Sequence, residues 1–122
     1  MAKIDKVLVL LPVTRKQKDI LEQAAPEATF FYEIPSREIQ EAVRQADVIL
    51  GHPPVAALRN AERLRWLQLA ASGANAYLGD GTLPDGVLLT SATGAYGISV
   101  AEHAFAVLLS IMKRLGNYRD HQ

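Results

Sequence analysis

Two loops rich in small residues carry the residue types that could bind a small anion in this sequence. The first is AASGANAYL (residues 70–78) and the second is TSATGAYG (residues 90–97). Glycine and serine let backbone N–H groups come close to a carboxylate, as in anion-binding nests. The same residues are frequent in ordinary turns that follow strands. Each loop is therefore either an anion site or a plain turn at this stage.

The three histidines differ in what they could do. His52 follows an apolar run, where it can hydrogen-bond a ligand or pair with nearby backbone. His103 lies beside Glu102, but adjacent residues of a helix do not share a face, so a structural role is favoured over acid–base or metal chemistry. His121 is near the end of the sequence and is expected to be solvated. A metal site would need two or three further ligands, so we assign no metal ligand and no catalytic residue.

Several motifs of nucleotide sites and nucleophiles are missing. The sequence contains no G-x-G-x-x-G after the first predicted strand, no G-x-x-x-x-G-K-[ST], no G-x-S-x-G and no cysteine. The loop PVTRKQK, which follows that strand, also lacks the small residues that would cradle an FMN phosphate. These motifs normally place the phosphate loop or the nucleophile. We therefore expect no nucleotide phosphate loop, no FMN site, no cysteine nucleophile and no nucleophile elbow in this sequence.

Composition narrows the class of protein further. The 122 residues suffice for one domain with its own core. Thirteen basic residues balance thirteen acidic ones, so no net charge attracts nucleic acid or anionic lipid. No apolar run approaches the length of a membrane span, and the first one lacks a signal-peptide cleavage site. We expect a cytoplasmic protein that binds neither nucleic acid nor membrane.

Short apolar runs alternate with helical patterns, and these elements must position the loops. The predicted strands lie within KVLVLLPV (6–13), ATFFYEI (28–34), DVILGHPP (47–54), LRWLQLAAS (64–72) and GVLLTSAT (86–93). Thr14 and Gln17 have capping-box spacing for the first helix, and Ser36 is the expected N-cap of the second.

This alternation predicts a single α/β domain over residues 1–122. The expected fold is flavodoxin-like and three-layered, with a five-stranded parallel sheet of order 2-1-3-4-5 and a long C-terminal helix. Ligands of such sheets bind beyond the carboxyl ends of the strands. His52 and both small-residue loops fall at that edge.

The last helix is predicted over residues 99–118, opened by Ser99 and Glu102 in capping-box spacing. It carries two apolar stripes, Val100, Ala104, Val107, Leu108, Ile111 and Leu115 in one, and Ala101, Phe105, Leu109 and Met112 in the other. One stripe can cover the sheet, whereas the second needs another domain or another copy of the chain. We therefore expect a homodimer through this helix, formed by packing or by exchange of the helix.

Three segments resemble the substrate-domain half of the D-isomer-specific 2-hydroxyacid dehydrogenases. They are ADVILGHPP (46–54), LRWLQLAASGANAYL (64–78) and GVLLTSATGAYGISVAEHAFAVLLSIMKRL (86–115). The similarity runs over residues 46–119, and SVAEH at the head of an apolar helix is its most specific part. In that family the chain continues through this helix into a Rossmann domain and later returns to complete the substrate domain. The resemblance implies that the Rossmann domain and the family's catalytic Arg, Glu and His lie beyond Gln122.

The resemblance also implies roles for residues that are present. Ser72, Gly73 and Ala74 match the family segment whose backbone amides hold the substrate carboxylate. Asn75 stands where the family often has Asp, which removes an ionic role at that position.

Two further pairs match the cleft of the family. His52 and Pro53 correspond to the strand end that lines the substrate cleft. Val100 and Glu102 correspond to the start of the helix near the interdomain cleft, which makes them candidate cofactor-binding residues.

The leading hypothesis is a substrate-binding domain of an NAD(P)-dependent D-2-hydroxyacid dehydrogenase. Its ligand would be a small 2-keto or 2-hydroxy acid, and its cofactor NAD or NADP in the complete enzyme. By itself the chain is expected to be inactive and to bind no cofactor tightly. The alternative is a non-catalytic flavodoxin-like binding or dimerisation module, because the five-strand pattern needs no cofactor. A flavin-binding electron carrier is disfavoured by the first loop.

Overall fold

The computed structural model describes residues 3–32 and 34–121 as two compact units. The first unit is Met1–Ala92 and the second is Thr93–Gln122. The first contains a sheet with its helices, and the second contains two helices. Each unit is considered by itself below.

The first unit is built on a five-stranded parallel sheet of order β2-β1-β3-β4-β5. This confirms the predicted flavodoxin-like α/β fold and its strand order. The strands are β1 (Lys6–Leu10), β2 (Thr29–Tyr32), β3 (Val48–Gly51), β4 (Trp66–Gln68) and β5 (Leu88–Thr90). They are shorter than the apolar runs that predicted them, and the last residues of runs 6–13, 47–54, 64–72 and 86–93 belong to the loops at the carboxyl edge.

Three helices connect the first four strands. They are α1 (Arg15–Ala24), α2 (Ile39–Gln45) and α3 (Val55–Leu58). A 3₁₀ turn, Ser36–Glu38, precedes α2, and a second one, Asn75–Tyr77, lies between β4 and β5.

The start of α1 agrees with the sequence prediction, whereas the start of α2 does not. Thr14 is the N-cap of α1, its hydroxyl accepts the Gln17 amide, and the Gln17 side chain accepts the Thr14 amide at 2.8 Å. Ser36 opens the 3₁₀ turn instead of capping α2, so that prediction was wrong. Glu38 occupies the N-cap of α2 without a side-chain cap bond, because the 3₁₀ turn leads directly into the helix.

Both faces of the sheet are apolar, but they are not equally covered. Alternate residues of a strand point to opposite faces, so Leu8 joins the core under α2 and α3 while Val7 and Val9 face α1. Helix α1 buries none of its residues fully. On its side of the sheet Trp66 is 36% exposed and Leu88 is 59% exposed. The sheet therefore has one sealed face and one partly open apolar face.

The second unit differs from the predicted single helix over residues 99–118. It contains α4 (Gly97–Met112) and α5 (Leu115–Asp120), separated by Arg114 in the left-handed conformation at φ 52°. The N-cap of α4 is Tyr96, with no side-chain cap bond, so the predicted capping box of Ser99 and Glu102 was wrong. Tyr96 has backbone angles in the helical region, φ −110° and ψ 0°, and α4 starts at Gly97, two residues before Ser99.

The apolar side chains of α4 are exposed along both predicted stripes. Exposure is 63% for Val100 and 70% for Ile111 in one stripe, and 65% for Phe105 and 67% for Met112 in the other. The expectation that one stripe covers the sheet and the other packs on a partner stays a prediction. Among the helices of residues 3–32 and 34–121, none is long and apolar enough to cross a lipid bilayer.

Candidate functional site

The carboxyl edge of the sheet holds the first-unit residues that the sequence singled out. Strand β3 ends at Gly51, whose φ of 122° lies in a region that residues with a Cβ rarely adopt. A Cβ at this position would lie 2.8 Å from the Leu10 carbonyl oxygen. Glycine therefore lets the ends of β1 and β3 approach each other and turns the chain toward His52.

His52 and Pro53 have opposite environments at the end of β3. The His52 side chain is exposed, whereas Pro53 is among the most deeply buried side chains of the chain. The Pro53 carbonyl accepts a hydrogen bond from the Tyr77 hydroxyl at 3.0 Å. The burial of Pro53 fixes the backbone from which the imidazole of His52 projects.

The loop after β4 is accessible. Ser72 and Gly73 are exposed and Ala74 is partly buried. A Cβ built on Gly73 would have no heavy atom within 4 Å, so the space next to this residue is open. The Ala74 carbonyl accepts the Tyr77 amide at 2.9 Å, which closes the following 3₁₀ turn. A small carboxylate could approach the backbone of this loop from the open side.

Tyr77 joins these two segments, and the sequence analysis missed it. The residue is 8% exposed, and its ring lies 6.4 Å from the His52 ring, centroid to centroid. Burial raises the pKa of its phenol, and the hydroxyl donates to the Pro53 carbonyl. The available signal was an aromatic residue in a loop of otherwise small residues, since a buried tyrosine hydroxyl usually has a hydrogen-bond partner.

The start of the second small-residue loop is also anchored to the first. The Leu69 amide donates to the Thr90 carbonyl at 2.8 Å, and the Ala92 amide donates to the Ala71 carbonyl at 3.1 Å. Residues 90–92 therefore run beside the beginning of the first loop. The remaining residues of this loop, 93–97, belong to the second unit.

Thr90 also takes part in a chain of side-chain hydrogen bonds on the partly open sheet face. The Trp66 indole N–H donates to the Thr90 hydroxyl at 2.7 Å. That hydroxyl donates to the Gln68 amide oxygen at 2.6 Å, and the Gln68 amide nitrogen donates to the Leu69 carbonyl at 2.8 Å. These bonds satisfy the polar groups of a surface that is otherwise apolar.

The structure thus brings together five of the seven predicted site residues. They lie at the end of β3 and in the loop after β4, and Tyr77 hydrogen-bonds to Pro53 in the first segment and to Ala74 in the second. Val100 and Glu102 are exposed residues of α4 in the second unit. Their prediction as cofactor-binding residues stays a prediction.

The groups at this edge include hydrogen-bond partners for a small anion. The edge carries backbone N–H groups, the Ser72 hydroxyl and the His52 imidazole, which are groups that hydrogen-bond a small anion. Within residues 3–32 and 34–121, no three His, Asp or Glu side chains are grouped to hold a metal ion.

Comparison with known proteins gives a limited sequence match. No protein-family model matches the chain. An uncharacterised protein from the mprR 3′ region of Streptomyces coelicolor is 40% identical over 63 residues. That match covers 52% of this chain and 22% of the Streptomyces protein.

Comparison of structures gives matches over nearly the whole chain. A D-isomer specific 2-hydroxyacid dehydrogenase family protein of Aeromonas salmonicida has a TM-score of 0.78 and 23% identity, covering 97% of this chain and 39% of its own. The PH0520 protein of Pyrococcus horikoshii has a TM-score of 0.69 and 22% identity, covering 95% and 35%. Phosphoglycerate dehydrogenase of Lactobacillus plantarum has a TM-score of 0.58 and 22% identity, covering 89% and 36%.

These comparisons establish the fold. The chain spans between 35% and 39% of the length of the three similar structures. It therefore corresponds in extent to one part of each of those proteins.

Proposed function

We propose that this chain is the substrate-binding part of a D-2-hydroxyacid dehydrogenase and that its ligand is a small 2-keto or 2-hydroxy acid. The proposal rests on one observation: the end of β3 and the loop after β4 lie together at the carboxyl edge of the sheet. The two segments are joined by the Tyr77–Pro53 hydrogen bond. Both segments have the sequences that resemble this family, ADVILGHPP and LRWLQLAASGANAYL.

Each of the five residues at this edge has a part in the proposed site. The backbone amides of Ser72, Gly73 and Ala74 hold the carboxylate of the acid, in a loop that is open next to Gly73. His52 and Pro53 line the same cleft, His52 with an exposed imidazole and Pro53 as its buried support.

The cofactor and the catalytic groups are proposed to come from another part of the complete protein. This part of the proposal rests on the sequence, which has no G-x-G-x-x-G loop, so we expect no tight binding of a dinucleotide to this chain alone. NAD or NADP is the cofactor of the complete enzyme in this proposal. The chain alone holds one wall of the site.

The uncovered apolar surfaces support the assignment to a larger assembly. The open sheet face with Trp66 and Leu88 suits the segment that returns to the substrate domain in the proposed family. The two stripes of α4 suit a cofactor domain and a sister subunit. We accordingly propose a homodimer through the helical region 99–118, and exposed apolar area of this kind generally marks an interaction surface.

Titration of the isotope-labelled chain with glyoxylate, followed by NMR, tests the site. The amides of Ser72, Gly73 and Ala74 should shift with glyoxylate but not with hydroxyacetone, a neutral analogue that lacks the carboxylate. Shifts confined to other parts of the chain would overturn the assignment of the loop.

Enzyme assays test the proposal that the cofactor and the catalytic groups come from another part of the complete protein. The purified chain should not reduce glyoxylate or hydroxypyruvate with NADH or NADPH. Turnover at enzyme-like rates would show that the chain holds a complete active site and would refute this part of the proposal. DNA downstream of codon 122 that encodes G-x-G-x-x-G would support it directly.

The second candidate is a non-catalytic flavodoxin-like binding or dimerisation module. It is favoured by the five-stranded sheet, which forms without any cofactor motif. Absence of a response to any 2-keto acid, together with self-association, would favour this candidate. A yellow purified protein would instead support a flavin carrier.

A further inference from the structure

We propose that Tyr77 is the positioning residue of the carboxylate-binding loop, holding Ser72–Ala74 in register with His52. This inference rests on the proposed function, because it takes the loop after β4 as part of a substrate site. Nothing in the family resemblance assigned a role to this position. The argument comes from the contacts of the tyrosine itself.

Tyr77 forms one hydrogen bond through its backbone and another through its side chain. Its backbone N–H donates to the Ala74 carbonyl at 2.9 Å, which fixes the last residue of the loop. Its hydroxyl donates to the Pro53 carbonyl at 3.0 Å, which fixes the residue after His52. One residue therefore connects two segments that are 24 positions apart in the sequence.

The surroundings of Tyr77 make this connection rigid. The tyrosine is 8% exposed and belongs to the main core cluster, together with Leu58 and Leu69. Its ring also lies against the His52 ring, with 6.4 Å between the centroids and a tilt of 38°. The loop on its other side is exposed at Ser72 and Gly73. An exposed loop next to a buried anchor depends on that anchor for its conformation.

A buried tyrosine that served packing alone would need only its ring. The hydroxyl adds a directional bond to a backbone carbonyl, and its removal leaves that carbonyl without this donor. The proposal therefore predicts an effect of the oxygen atom separate from the effect of the ring. Tyr77→Phe removes the oxygen and keeps the ring.

The experiment compares Tyr77→Phe with the unchanged 122-residue chain. NMR order parameters of the Ser72, Gly73 and Ala74 amides should fall from about 0.85, typical of rigid backbone, toward about 0.6 or below. The dissociation constant of glyoxylate should rise by about fivefold, as expected for loss of one hydrogen bond that orders the site. Core amides such as Leu67 should keep their hydrogen-exchange protection.

Tyr32→Phe is the matched control. The Tyr32 hydroxyl also donates a hydrogen bond, to the Glu22 carboxylate at 3.1 Å, but on β2 at the far edge of the sheet. It should leave the order parameters of the loop and the affinity for glyoxylate unchanged.

Each result decides the proposal. Unchanged order parameters at Ser72–Ala74 in Tyr77→Phe would overturn it, whatever glyoxylate does. General unfolding of Tyr77→Phe would also overturn it, because Tyr77 would then be a core residue without a specific effect on the loop. If the unchanged chain shows no response to glyoxylate at these amides, the proposed function fails, and the order parameters alone still decide whether Tyr77 positions the loop.

Discussion

The carboxylate of Asp47 lies 3.1 Å from the guanidinium of Arg63 at the amino-terminal edge of the sheet. The same carboxylate accepts the backbone amides of Asp5 at 3.0 Å and Lys6 at 2.9 Å. Asp47 is 4% exposed. It ties the start of β1 to the start of β3, at the opposite end of the strands from the candidate site.

Asp47→Asn should destabilise the fold and weaken its pH dependence. Burial alone would raise the pKa of Asp47, but the amides of Lys6 and Asp5 and the Arg63 guanidinium outweigh it, so the pKa is lowered. The stabilisation is thus present above the unfolded pKa of about 4 and is lost as pH falls through the lower folded pKa.

Urea unfolding measures this effect. At pH 7, Asp47→Asn should lower the free energy of unfolding by about 1.5–3 kcal/mol, the range for a hydrogen bond to a charged group. Asp80→Asn, at an exposed position, should change it by less than about 0.5 kcal/mol. If the free energy of unfolding fell equally with decreasing pH in Asp47→Asn and in the unchanged chain, this account would be contradicted.

Gly51→Ala should lower the free energy of unfolding more than an ordinary substitution of glycine does. Gly51 has a positive φ, and a Cβ there would lie 2.8 Å from the Leu10 carbonyl oxygen. We expect a loss of at least about 2 kcal/mol in the free energy of unfolding, since strained backbone and a backbone clash combine.

Gly86→Ala separates these two causes. Gly86 also has a positive φ, of 81°, but a Cβ there has no atom within 4 Å. Its cost should be about 1 kcal/mol, from the backbone conformation alone. If Gly51→Ala and Gly86→Ala lowered the free energy of unfolding equally, the backbone would have moved away from the Leu10 carbonyl without any cost in stability.

Leu109→Lys should weaken self-association of the chain. Leu109 is 52% exposed on the second stripe of α4. Burying a leucine at an interface contributes about 1.5–3 kcal/mol, so the dimer dissociation constant should rise by at least about tenfold. Sedimentation velocity at micromolar concentration measures it.

Ser110→Lys is the control, at a polar residue of α4 that belongs to neither apolar stripe. It introduces the same charge one residue later and should leave the dissociation constant nearly unchanged. A monomer at micromolar concentration in the unchanged chain would contradict the proposed homodimer.

Gly73→Val should impair ligand binding without impairing the fold. A Cβ at Gly73 has no heavy atom within 4 Å, and the residue has no positive φ. The free energy of unfolding should therefore change by less than about 0.5 kcal/mol. The branched side chain would cover the loop amides, so the glyoxylate dissociation constant should rise by about tenfold. A stable variant with unchanged affinity would argue that the carboxylate binds elsewhere.

The parts of the fold that were predicted correctly depend on local pattern. Continuous apolar runs such as KVLVL fixed the strands, and the right-handed connection of parallel strands left few possible orders. The capping box of Thr14 and Gln17 was found because its residues are three positions apart and bond to each other.

The same spacing led to a wrong prediction of where the last helix begins. Ser99 and Glu102 have the spacing of a capping box, but α4 begins at Gly97, so Ser99 lies inside the helix and not at its N-cap. The break at Arg114 was missed because its left-handed conformation is usually taken by glycine. A sequence pattern cannot identify an arginine that adopts it.

Contacts between distant segments explain the rest of what was missed. The carboxylate of Asp47 bonds to a residue 42 positions away, and Tyr77 bonds to one 24 positions away. Periodicity describes neighbours within one element, whereas these bonds depend on which strand ends lie side by side. The sequence thus indicated the loops of the candidate site but not the residue that joins them.

Trp66 is the single tryptophan of the chain, and its indole lies at the partly open sheet face in a hydrogen bond to Thr90. The tryptophan fluorescence of the chain therefore reports on the surroundings of this sheet face. An apolar segment that covers this face would remove water from the ring and move the emission to shorter wavelength. The protein consequently carries a built-in optical reporter that distinguishes docking on the sheet from ligand binding at the carboxyl edge.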